Sequence, residues 1–476
     1  MTATFSAETS AITLCAEGAM LADAGDTAGS IACYTRAVEL APSVLALHLI
    51  LANALLLDGR TLDARAALRH ALRVASRPDA ASEFTLGKAL VDAGSGADAE
   101  PSFRRVRSEF PGDAAAVSAH AAALRDAQRP DEAWDAISAA LRMAPNEPGA
   151  LLNAALIRHD LSDFAGALQW CEKSLLVRPD APGARITRGY LRHLLGDTDG
   201  GWNDFEARAL PVPNTAAQRW RGEALEGKSL LVIGEQGVGD QFQFLRFVHH
   251  PMVQDASRVI VSCQADAVSL LRASGYNAVA RDETVFTDYY APLLSLPVLL
   301  GVGADWRGAG DVYLTAPGAR VRERKHITRA GIVWAGNPAH RNDAVRSMPP
   351  GLLHGLLHSR PDVQFVSLQH GVSGHDLPTG AVAAPPGGNW LDTARQLATL
   401  DLLITVDTGI AHLAGALGVP VWLLVSHVPD WRWGISGSGT AWYPAMRVFR
   451  QPVRGDWARV LTNVSAALSV AEFGIS

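Results

Sequence analysis

The sequence of 476 residues predicts an α plus α/β protein, in which an array of helical repeats precedes two domains built on parallel sheets. The first observation is a period: prolines that would end helices recur 34 residues apart, at Pro111, Pro145 and Pro179. The second observation is a change of pattern at residue 229, after which short β-rich runs alternate with helical stretches. Such alternation is typical of parallel sheets covered by helices.

The period also places small and apolar residues in phase, which predicts which side chains face the neighbouring helices. The pairs that precede the helix-ending prolines are Tyr34/Ala37, Leu68/Ala71, Phe103/Val106, Ile137/Ala140 and Cys171/Ser174. The small residues that recur where two helices would approach closely are Gly18, Ala52, Gly87, Ala121, Ala155 and Gly189, with Ala64, Ala99, Ala133 and Ala167 on the second helix of each unit.

This pattern resembles the tetratricopeptide repeat, with five repeats and a partial sixth over residues 1–209. One helical hairpin cannot bury its apolar face alone, so stacked hairpins form a superhelix with an extended concave surface. A surface of this kind usually holds a polypeptide. A rigid spacer or a dimerisation arm is the alternative interpretation of the same repeats.

A polar segment with prolines and glycines, residues 210–228, is predicted to link the repeats to the α/β part. We expect a first α/β domain over 229–315 and a second over 316–476, with a hinge near 300–329. The strands of these domains are predicted at SLLVIG, RVIVSC, GIVWAG, VQFVSLQ, LLITVD and VPVWLLV. Ligands bind at the carboxyl ends of the strands in open parallel sheets, so a cleft is expected there.

Composition limits the classes of function. A formal net charge of −6 gives no basic footprint for nucleic acid, and no basic run indicates a membrane surface. The four cysteines have no metal-like spacing, the N-terminus lacks the features of a signal peptide, and no apolar run is long enough to span a bilayer. We therefore expect a cytoplasmic protein.

The stretch LLITVDTGIAHLAGALGVPVWLL (402–424) predicts an anion site. A buried strand ends at Asp407, Thr408 and Gly409 turn the chain, and a helix begins with His412 in its first turn. The free amides and the dipole at such a helix start favour a phosphate group. The alternative is that Asp407 or Thr408 only caps the helix.

A second glycine-rich loop, GEQGVGDQFQF (234–244), has the spacing of neither a dinucleotide-binding fingerprint nor a phosphate-binding loop with Lys-Ser/Thr. Gly237 and Gly239 would let a substrate approach the backbone. Asp240 is predicted in the first turn of a helix, where the dipole would lower the pKa of its carboxyl and keep it ionised as a general base. A plain helix cap is again the alternative.

The D-T-G-x-x-H stretch resembles the donor-binding signature of heptosyltransferase-like glycosyltransferases of family nine, which have the GT-B fold of two Rossmann-like domains. The GVGD loop matches the family position of a proposed catalytic base. A basic residue that contacts donor phosphate matches within RNDAVRSMP, although Met348 replaces the family's aromatic residue. The resemblance implies Asp240 as base, an acceptor-side loop of Gly237, Gly239 and Gln241, and donor contacts by Arg346, Asp407, Thr408, Gly409, Ile410 and His412. Gln369, at the end of its predicted strand, is a further candidate for nucleotide contacts.

The whole arrangement resembles bacterial proteins in which tetratricopeptide repeats precede such a transferase domain, and DWRWGISGSGTAWYPAMRVFRQPVRGDW (430–457) is typical of that group. Flagellin and other protein O-glycosyltransferases belong to it, and O-linked N-acetylglucosamine transferases share the plan. The resemblance implies inverting, metal-independent transfer, without a cofactor, from a nucleotide sugar to a hydroxyl of a protein held by the repeats. Trp431, Trp433, Trp442 and Tyr443 either line the site or pack a core.

Two other functions remain open from the sequence. One is a repeat scaffold whose transferase-like part does not turn over, and the other is a transferase for a saccharide or lipid-linked acceptor. The sequence also leaves open the donor nucleotide (UDP, GDP, ADP or CMP), the sugar, the acceptor and the oligomeric state.

Overall fold

The computed structural model describes residues 2–74, 79–213, 215–303, 306, 312–317, 327–372, 376–385 and 387–470. Contacts divide the chain into two units, one of residues 1–184 with 337–341 and one of residues 185–336 with 342–476. The predicted hinge at 300–329 lies largely outside the described residues.

Helical hairpins make up the first part of the chain, with short turns between the helices. In the described residues these helices are α1 (Thr2–Asp23), α2 (Thr27–Leu40), α3 (Leu45–Leu57), α4 (Thr61–Val74), α5 (Ala80–Asp92), α6 (Gly96–Glu109), α7 (Ala114–Asp126), α8 (Pro130–Met143), α9 (Pro148–Asp160), α10 (Phe164–Val177), α11 (Pro182–Leu195) and α12 (Thr198–Phe205).

The phase of the repeat predicts the helix contacts correctly. All ten residues of the five predicted pairs are buried. A Cβ atom on Gly87 would lie 2.8 Å from the ring of Phe103, and one on Gly18 would lie 2.7 Å from the ring of Tyr34. At these two positions a small residue is required because an aromatic side chain of the next helix occupies the space of the missing side chain.

The last hairpin, α11 with α12, belongs to the second unit by its contacts, although the predicted repeat array extends to residue 209. Arg188 holds the two helices together through two hydrogen bonds to the Asp204 carboxylate, at 2.7 and 2.6 Å. The Trp202 ring packs edge-on against Trp431 and Phe244, with centroids 5.5 and 5.6 Å apart. Aromatic packing thus joins this hairpin to the α/β part.

The first sheet is parallel throughout, in the order β1-β5-β2-β3-β4. Its strands are β1 (Gln218–Arg219), β2 (Ser229–Ile233), β3 (Arg258–Cys263), β4 (Ala278–Ala280) and β5 (Tyr289–Pro292), and its α-helices are α13 (Val238–Phe244), α14 (Pro251–Gln254), α15 (Val268–Ala273) and α16 (Leu296–Leu300). Strand β1 pairs with β5 inside the segment predicted as a linker, and Trp220 beside it is buried. Part of that segment therefore belongs to the sheet.

The second sheet is also parallel, in the order β11-β10-β9-β6-β7-β8. Its strands are β6 (Arg329–Val333), β7 (Gln364–Ser367), β8 (Ala381–Ala383), β9 (Leu402–Val406), β10 (Val421–Val425) and β11 (Met446–Arg450), and its α-helices are α17 (Asp343–Arg346), α18 (His354–His358), α19 (Trp390–Leu397), α20 (Gly409–Ala416) and α21 (Trp457–Val470). The central strands β9 and β10 are buried along their whole length, as parallel strands covered on both faces are.

The architecture is thus a helical repeat array followed by a region of two parallel sheets. Among the described residues, no helix is both long and apolar enough to cross a bilayer.

Candidate functional site

The two glycine-rich loops singled out in the sequence meet in the second unit. Strand β2 leads into α13 through Gly237, and strand β9 leads into α20 through Thr408. A Cβ atom on Gly239 would lie 2.9 Å from the Cα atom of Gly409 and 3.1 Å from the His412 ring. The first turns of α13 and α20 are therefore in backbone contact, which only a residue without a side chain allows at position 239.

Asp240 lies in the first turn of α13 and uses its two oxygens differently. Its Oδ2 accepts a hydrogen bond of 3.0 Å from the backbone N–H of Gly237, so the helix-start role considered in the sequence is present. Its Oδ1 accepts a short hydrogen bond from the guanidinium of Arg432, to which it is also ion-paired. Asp240 is thus both a helix-start residue and part of a charged cluster.

Arg432 connects the carboxylates of this cluster. It lies in a short 3-10 helix, Trp431–Trp433. Besides Asp240, its Nη1 donates to Asp430 Oδ1 at 2.9 Å and its Nε donates to Gln243 Oε1 at 2.6 Å. The side chain is only 11% exposed. The sequence alone predicts no role for this arginine, because nothing local in the chain links positions 240 and 432.

The structure corrects the predicted pKa of Asp240. Burial raises the pKa of this carboxyl above its ordinary value, and the charge of Asp430 raises it further, while Arg432 and the bond from Gly237 act in the opposite direction. The helix start had predicted a lowered pKa. Loss of hydration outweighs the helix dipole here because the dipole contributes only a partial charge.

Asp407, at the end of β9, is the most perturbed carboxyl of the cluster. Burial, assisted by the charge of Asp430, raises the pKa of Asp407 to about 6, against the opposing effects of Trp433, Arg432 and Arg346. The Asp407 carboxyl therefore exchanges its proton close to neutral pH, and its environment includes both arginines.

Burial holds His412 neutral. Burial lowers the pKa of His412 well below its usual value, and the charges of Arg432 and Arg246 lower it further. Its Nδ1 lies 3.0 Å from the Tyr443 hydroxyl, and its ring stacks on Trp433 with centroids 5.3 Å apart. The ring is therefore fixed in orientation from two sides.

The capping alternative is not observed for Thr408. It occupies the N-cap position of α20, but its side chain makes no capping hydrogen bond. Its hydroxyl donates instead to the Val406 carbonyl at 3.3 Å and lies 3.3 Å from the Thr405 hydroxyl. The side chain of Ile410 in the first turn is buried.

Arg346 lies in the helix α17 that follows β6, and Gln369 lies two residues after β7; the two differ in their contacts. Arg346 ends α17, and its Nε lies 3.4 Å from Asp343 Oδ1. The side-chain amide of Gln369 is hydrogen-bonded to the backbone. Its Oε1 accepts from the N–H groups of Trp334 and Ala335 at 3.1 and 2.9 Å, and its Nε2 donates to the Ala335 carbonyl at 3.0 Å. Gln369 therefore shapes the loop after β6.

The aromatic residues near the site form a buried packing cluster. Trp431, Trp433, Trp442 and Tyr443 are all buried. Two of them contact His412, so the same core orients a candidate site residue.

Two glutamines of α13 have buried polar atoms without a hydrogen-bond partner in the described part of the chain. These atoms are Nε2 and Oε1 of Gln241 and Nε2 of Gln243. Gln241 lies over the end of β2, because a Cβ atom on Gly234 would lie 2.9 Å from its amide. Buried amides of this kind need an explanation, such as a bound water or a ligand group.

A cleft of about 760 Å³ lies at the carboxyl ends of β2 and β3, between the residues that follow α12 and those that follow β4. Its walls include Arg208, Val212, Glu235, Ser262 and Arg281. An ion pair of 2.7 Å between Arg208 and Glu235 lies buried at this end of the sheet. None of the site residues predicted from the sequence lines this cleft.

Comparison with known proteins identifies the first part of the chain. A tetratricopeptide repeat model matches residues 16–81, 84–148 and 118–185. Within residues 16–185 the chain carries tetratricopeptide repeats. We refer to these residues as the repeat region. Such repeats typically bind protein partners.

Similarity to characterised proteins is distant. The chain is 24% identical over 376 residues to Protein FlbA of Caulobacter vibrioides, an alignment that covers 69% of this chain and 62% of that protein. The chain thus matches less than two thirds of the length of FlbA. A tetratricopeptide repeat protein from Parabacteroides merdae is 15% identical, with 42% of this chain and 78% of that chain covered and a TM-score of 0.33. YrrB, described as a TPR protein with an unusual peptide-binding site, is 22% identical, with 37% and 89% covered and a TM-score of 0.28.

Proposed function

We propose that the parallel-sheet region is a glycosyltransferase of the GT-B type. It would move a sugar from a nucleotide-sugar donor to a hydroxyl of a protein acceptor held by the repeat region, with inversion and without a metal. The proposal rests on the resemblance of the GVGD and D-T-G-x-x-H loops to family nine transferases, together with the geometry of the cluster in which these loops meet.

The observation that carries the proposal is the contact of Gly239 with Gly409. Two motifs that lie 170 positions apart in the chain, and that the resemblance assigns to the acceptor and donor sides of one reaction, are neighbours in space. A transferase needs this arrangement, because the base and the donor must face the same anomeric carbon. A fortuitous match of either loop alone would not require the other to lie beside it.

In the proposed mechanism Asp240 takes the proton of the acceptor hydroxyl as that hydroxyl attacks the anomeric carbon. A general base contributes about 10²–10⁴-fold to the rate, and it acts best when its pKa lies near the working pH. The burial that raises the pKa of Asp240 therefore suits the base role better than the lowered pKa expected from the sequence. Holding acceptor and donor in register supplies a further part of the acceleration.

The leaving nucleotide phosphate gains negative charge as the bond to the sugar breaks. Arg346 and the amides of Thr408–Ile410 would stabilise this charge, the electrostatic role that a divalent cation has in other transferases. Asp407 and neutral His412 would orient the donor through hydrogen bonds. Gln369 would act indirectly, by fixing the loop after β6 beside the donor.

The acceptor is proposed to be a protein because the repeat region is of a type that binds polypeptides. Flagellin is the candidate that the resemblance suggests.

Donor binding is the first test of the proposal. The melting temperature of the protein is measured with a panel of UDP-, GDP-, ADP- and CMP-sugars, with the matching nucleosides as controls that lack phosphate. At a concentration 100 times Kd, a ligand stabilises the native state by about 2.7 kcal/mol. We expect one nucleotide class to raise the melting temperature and its nucleoside to have no such effect. No stabilisation by any donor would contradict the proposal.

A second candidate function is a repeat scaffold whose transferase-like region does not turn over. It is favoured by one observation, namely that Arg432 already occupies Oδ1 of Asp240, the oxygen that a base needs. The scaffold predicts a protein that binds partners but transfers no sugar at any donor concentration.

A further inference from the structure

Arg432 is shared between two carboxylates, and this sharing limits what Asp240 can do. The guanidinium donates from Nη2 to Asp240, from Nη1 to Asp430 and from Nε to Gln243. A charged hydrogen bond to a carboxylate oxygen stabilises the ionised form and so weakens the carboxylate as a base. Asp240 is therefore a stronger base once its contact with Arg432 is released.

The same cluster brings three carboxyl groups to Arg432. Asp240, Asp407 and Asp430 all act on its guanidinium, and the charge of Arg346 also acts on Asp407. A phosphate group that enters here needs a cation within reach. Arg432 meets this need because a guanidinium can exchange one carboxylate for a phosphate oxygen without leaving its place.

Gln243 supplies a second, independent observation. Its Oε1 accepts from Arg432, while its Nε2 is buried and has no partner among the described residues. A buried amide donor without an acceptor is costly, and an acceptor-rich group beside Arg432 would satisfy it. The phosphate of a nucleotide sugar carries such acceptor oxygens.

We propose that Arg432 exchanges Asp240 for a phosphate group of the donor, so that donor binding releases the base. This inference rests on the proposed function, since it concerns the same donor and the same base. It implies an order of events: the donor phosphate first takes over the hydrogen bond that Arg432 gives to Asp240, and Asp240 then takes the proton of the acceptor hydroxyl. Asp430 retains Arg432 throughout, so the arginine stays beside the site.

Inorganic pyrophosphate tests the exchange without a sugar or a nucleoside. Its affinity is measured by calorimetry for the full chain and for the variants Asp240→Asn, Asp430→Asn and Arg432→Lys. Asparagine has the shape of aspartate but no negative charge, so it competes less with a phosphate for the guanidinium of Arg432. We expect about tenfold tighter binding to Asp240→Asn, the effect of removing one competing charged hydrogen bond. Asp430→Asn should also bind more tightly, and Arg432→Lys more weakly.

Arg395→Gln is the matched control, because Arg395 forms an exposed ion pair with Asp392 and is absent from the cluster. Its affinity for pyrophosphate should equal that of the unmodified chain. Thermal unfolding followed by circular dichroism identifies any variant that fails to fold. If Arg432→Lys does not fold, the affinities of Asp240→Asn and Asp430→Asn test the exchange. Equal or weaker binding to Asp240→Asn, or no binding to any variant, would overturn the exchange.

Failure of the exchange and failure of the proposed transferase function give different results. Tighter binding to Asp240→Asn without sugar transfer to any acceptor would keep the exchange and reject the transferase. Sugar transfer together with an unchanged affinity of Asp240→Asn would keep the transferase and reject the exchange.

Discussion

Burial governs the acids and bases of the site at the scale of single residues. It raises the pKa of Asp240 and Asp407 and lowers that of His412, and neighbouring charges contribute less to these shifts than burial does. Asp240 and Asp407 therefore keep their protons to a higher pH than usual, while His412 stays neutral. Such groups can transfer protons near neutral pH.

The raised pKa of Asp407 predicts a measurable dependence of stability on pH. Between its ordinary value of 3.8 and the folded value of about 6, Asp407 is protonated in the folded chain and ionised in the unfolded one. Its contribution to stability is therefore full below pH 4 and is lost as the pH rises through 6.

We expect the free energy of unfolding of the unmodified chain, relative to Asp407→Asn, to fall by about 2 kcal/mol between pH 4 and pH 7. Urea unfolding at several pH values checks this expectation. A difference between the two proteins that does not change with pH would show that the carboxyl is ionised throughout.

Gln369 gives a second prediction at the residue scale. Replacing it by leucine leaves the N–H groups of Trp334 and Ala335 without their acceptor, so Gln369→Leu should destabilise the protein by about 1–3 kcal/mol. Gln364 is exposed at the start of β7, the strand that precedes Gln369, so Gln364→Leu should change stability by less than about 0.5 kcal/mol. Equal effects in urea unfolding would mean that the amide contacts are not what holds the loop.

At the scale of elements, close approach of helices depends on glycine in both units. In the repeats, a side chain on Gly87 meets the ring of Phe103. We expect Gly87→Val to destabilise the repeats by about 1–3 kcal/mol through overpacking. Gly112→Val, at a turn where no atom lies within 4 Å of the added Cβ, is the control. Thermal unfolding followed at 222 nm, the helix band of circular dichroism, measures both, and equal melting temperatures would contradict the packing.

The contact of α13 with α20 predicts a similar cost in the second unit. A Cβ atom on Gly239 meets backbone rather than a flexible side chain, so Gly239→Ala must separate the two helix starts. We expect a loss of stability of about 1–3 kcal/mol and weaker binding of pyrophosphate. Gly439→Ala, with no atom within 4 Å of its added Cβ, should leave both quantities unchanged. Unaltered binding in Gly239→Ala would mean that the contact does not shape the site.

Elements differ in how far the sequence predicts them. Length explains the shortest strands but not β11, which has five residues and is not predicted either. The helices of the repeats are predicted because the same residues recur in phase over five periods, and their pairs are buried as expected. The long apolar strands β9 and β10 are equally clear. Strands β1, β4 and β8, with two or three residues each, are too short to show a period and depend on their neighbours in the sheet.

The residues of the site also differ in how far the sequence predicts them. Asp240 and Asp407 could be found because each belongs to a local motif. Arg432 could not, since its role depends on carboxylates contributed from both sheets' loops and no spacing in the chain shows that it lies beside Asp240. The raised pKa of Asp240 was missed for the same reason, because burial is a property of the assembled fold.

At the scale of the whole molecule, the chain joins a repeat region of a type that binds proteins to a region of two parallel sheets with a buried, charged cluster. Each part alone admits many functions. We propose that their combination in one chain serves chemistry on a protein that the repeats hold.

The measurement that tests this claim most directly is the intact mass of candidate acceptor proteins, flagellin first, co-expressed with the unmodified chain, with Asp240→Ala and with the control Arg395→Gln. We expect an added sugar mass on the acceptor with the unmodified chain and with Arg395→Gln. With Asp240→Ala we expect the modification to be reduced by about 10²-fold or more. Equal modification by Asp240→Ala would reject Asp240 as the base. No added mass on any acceptor with an intact chain that binds a donor would contradict the claim itself.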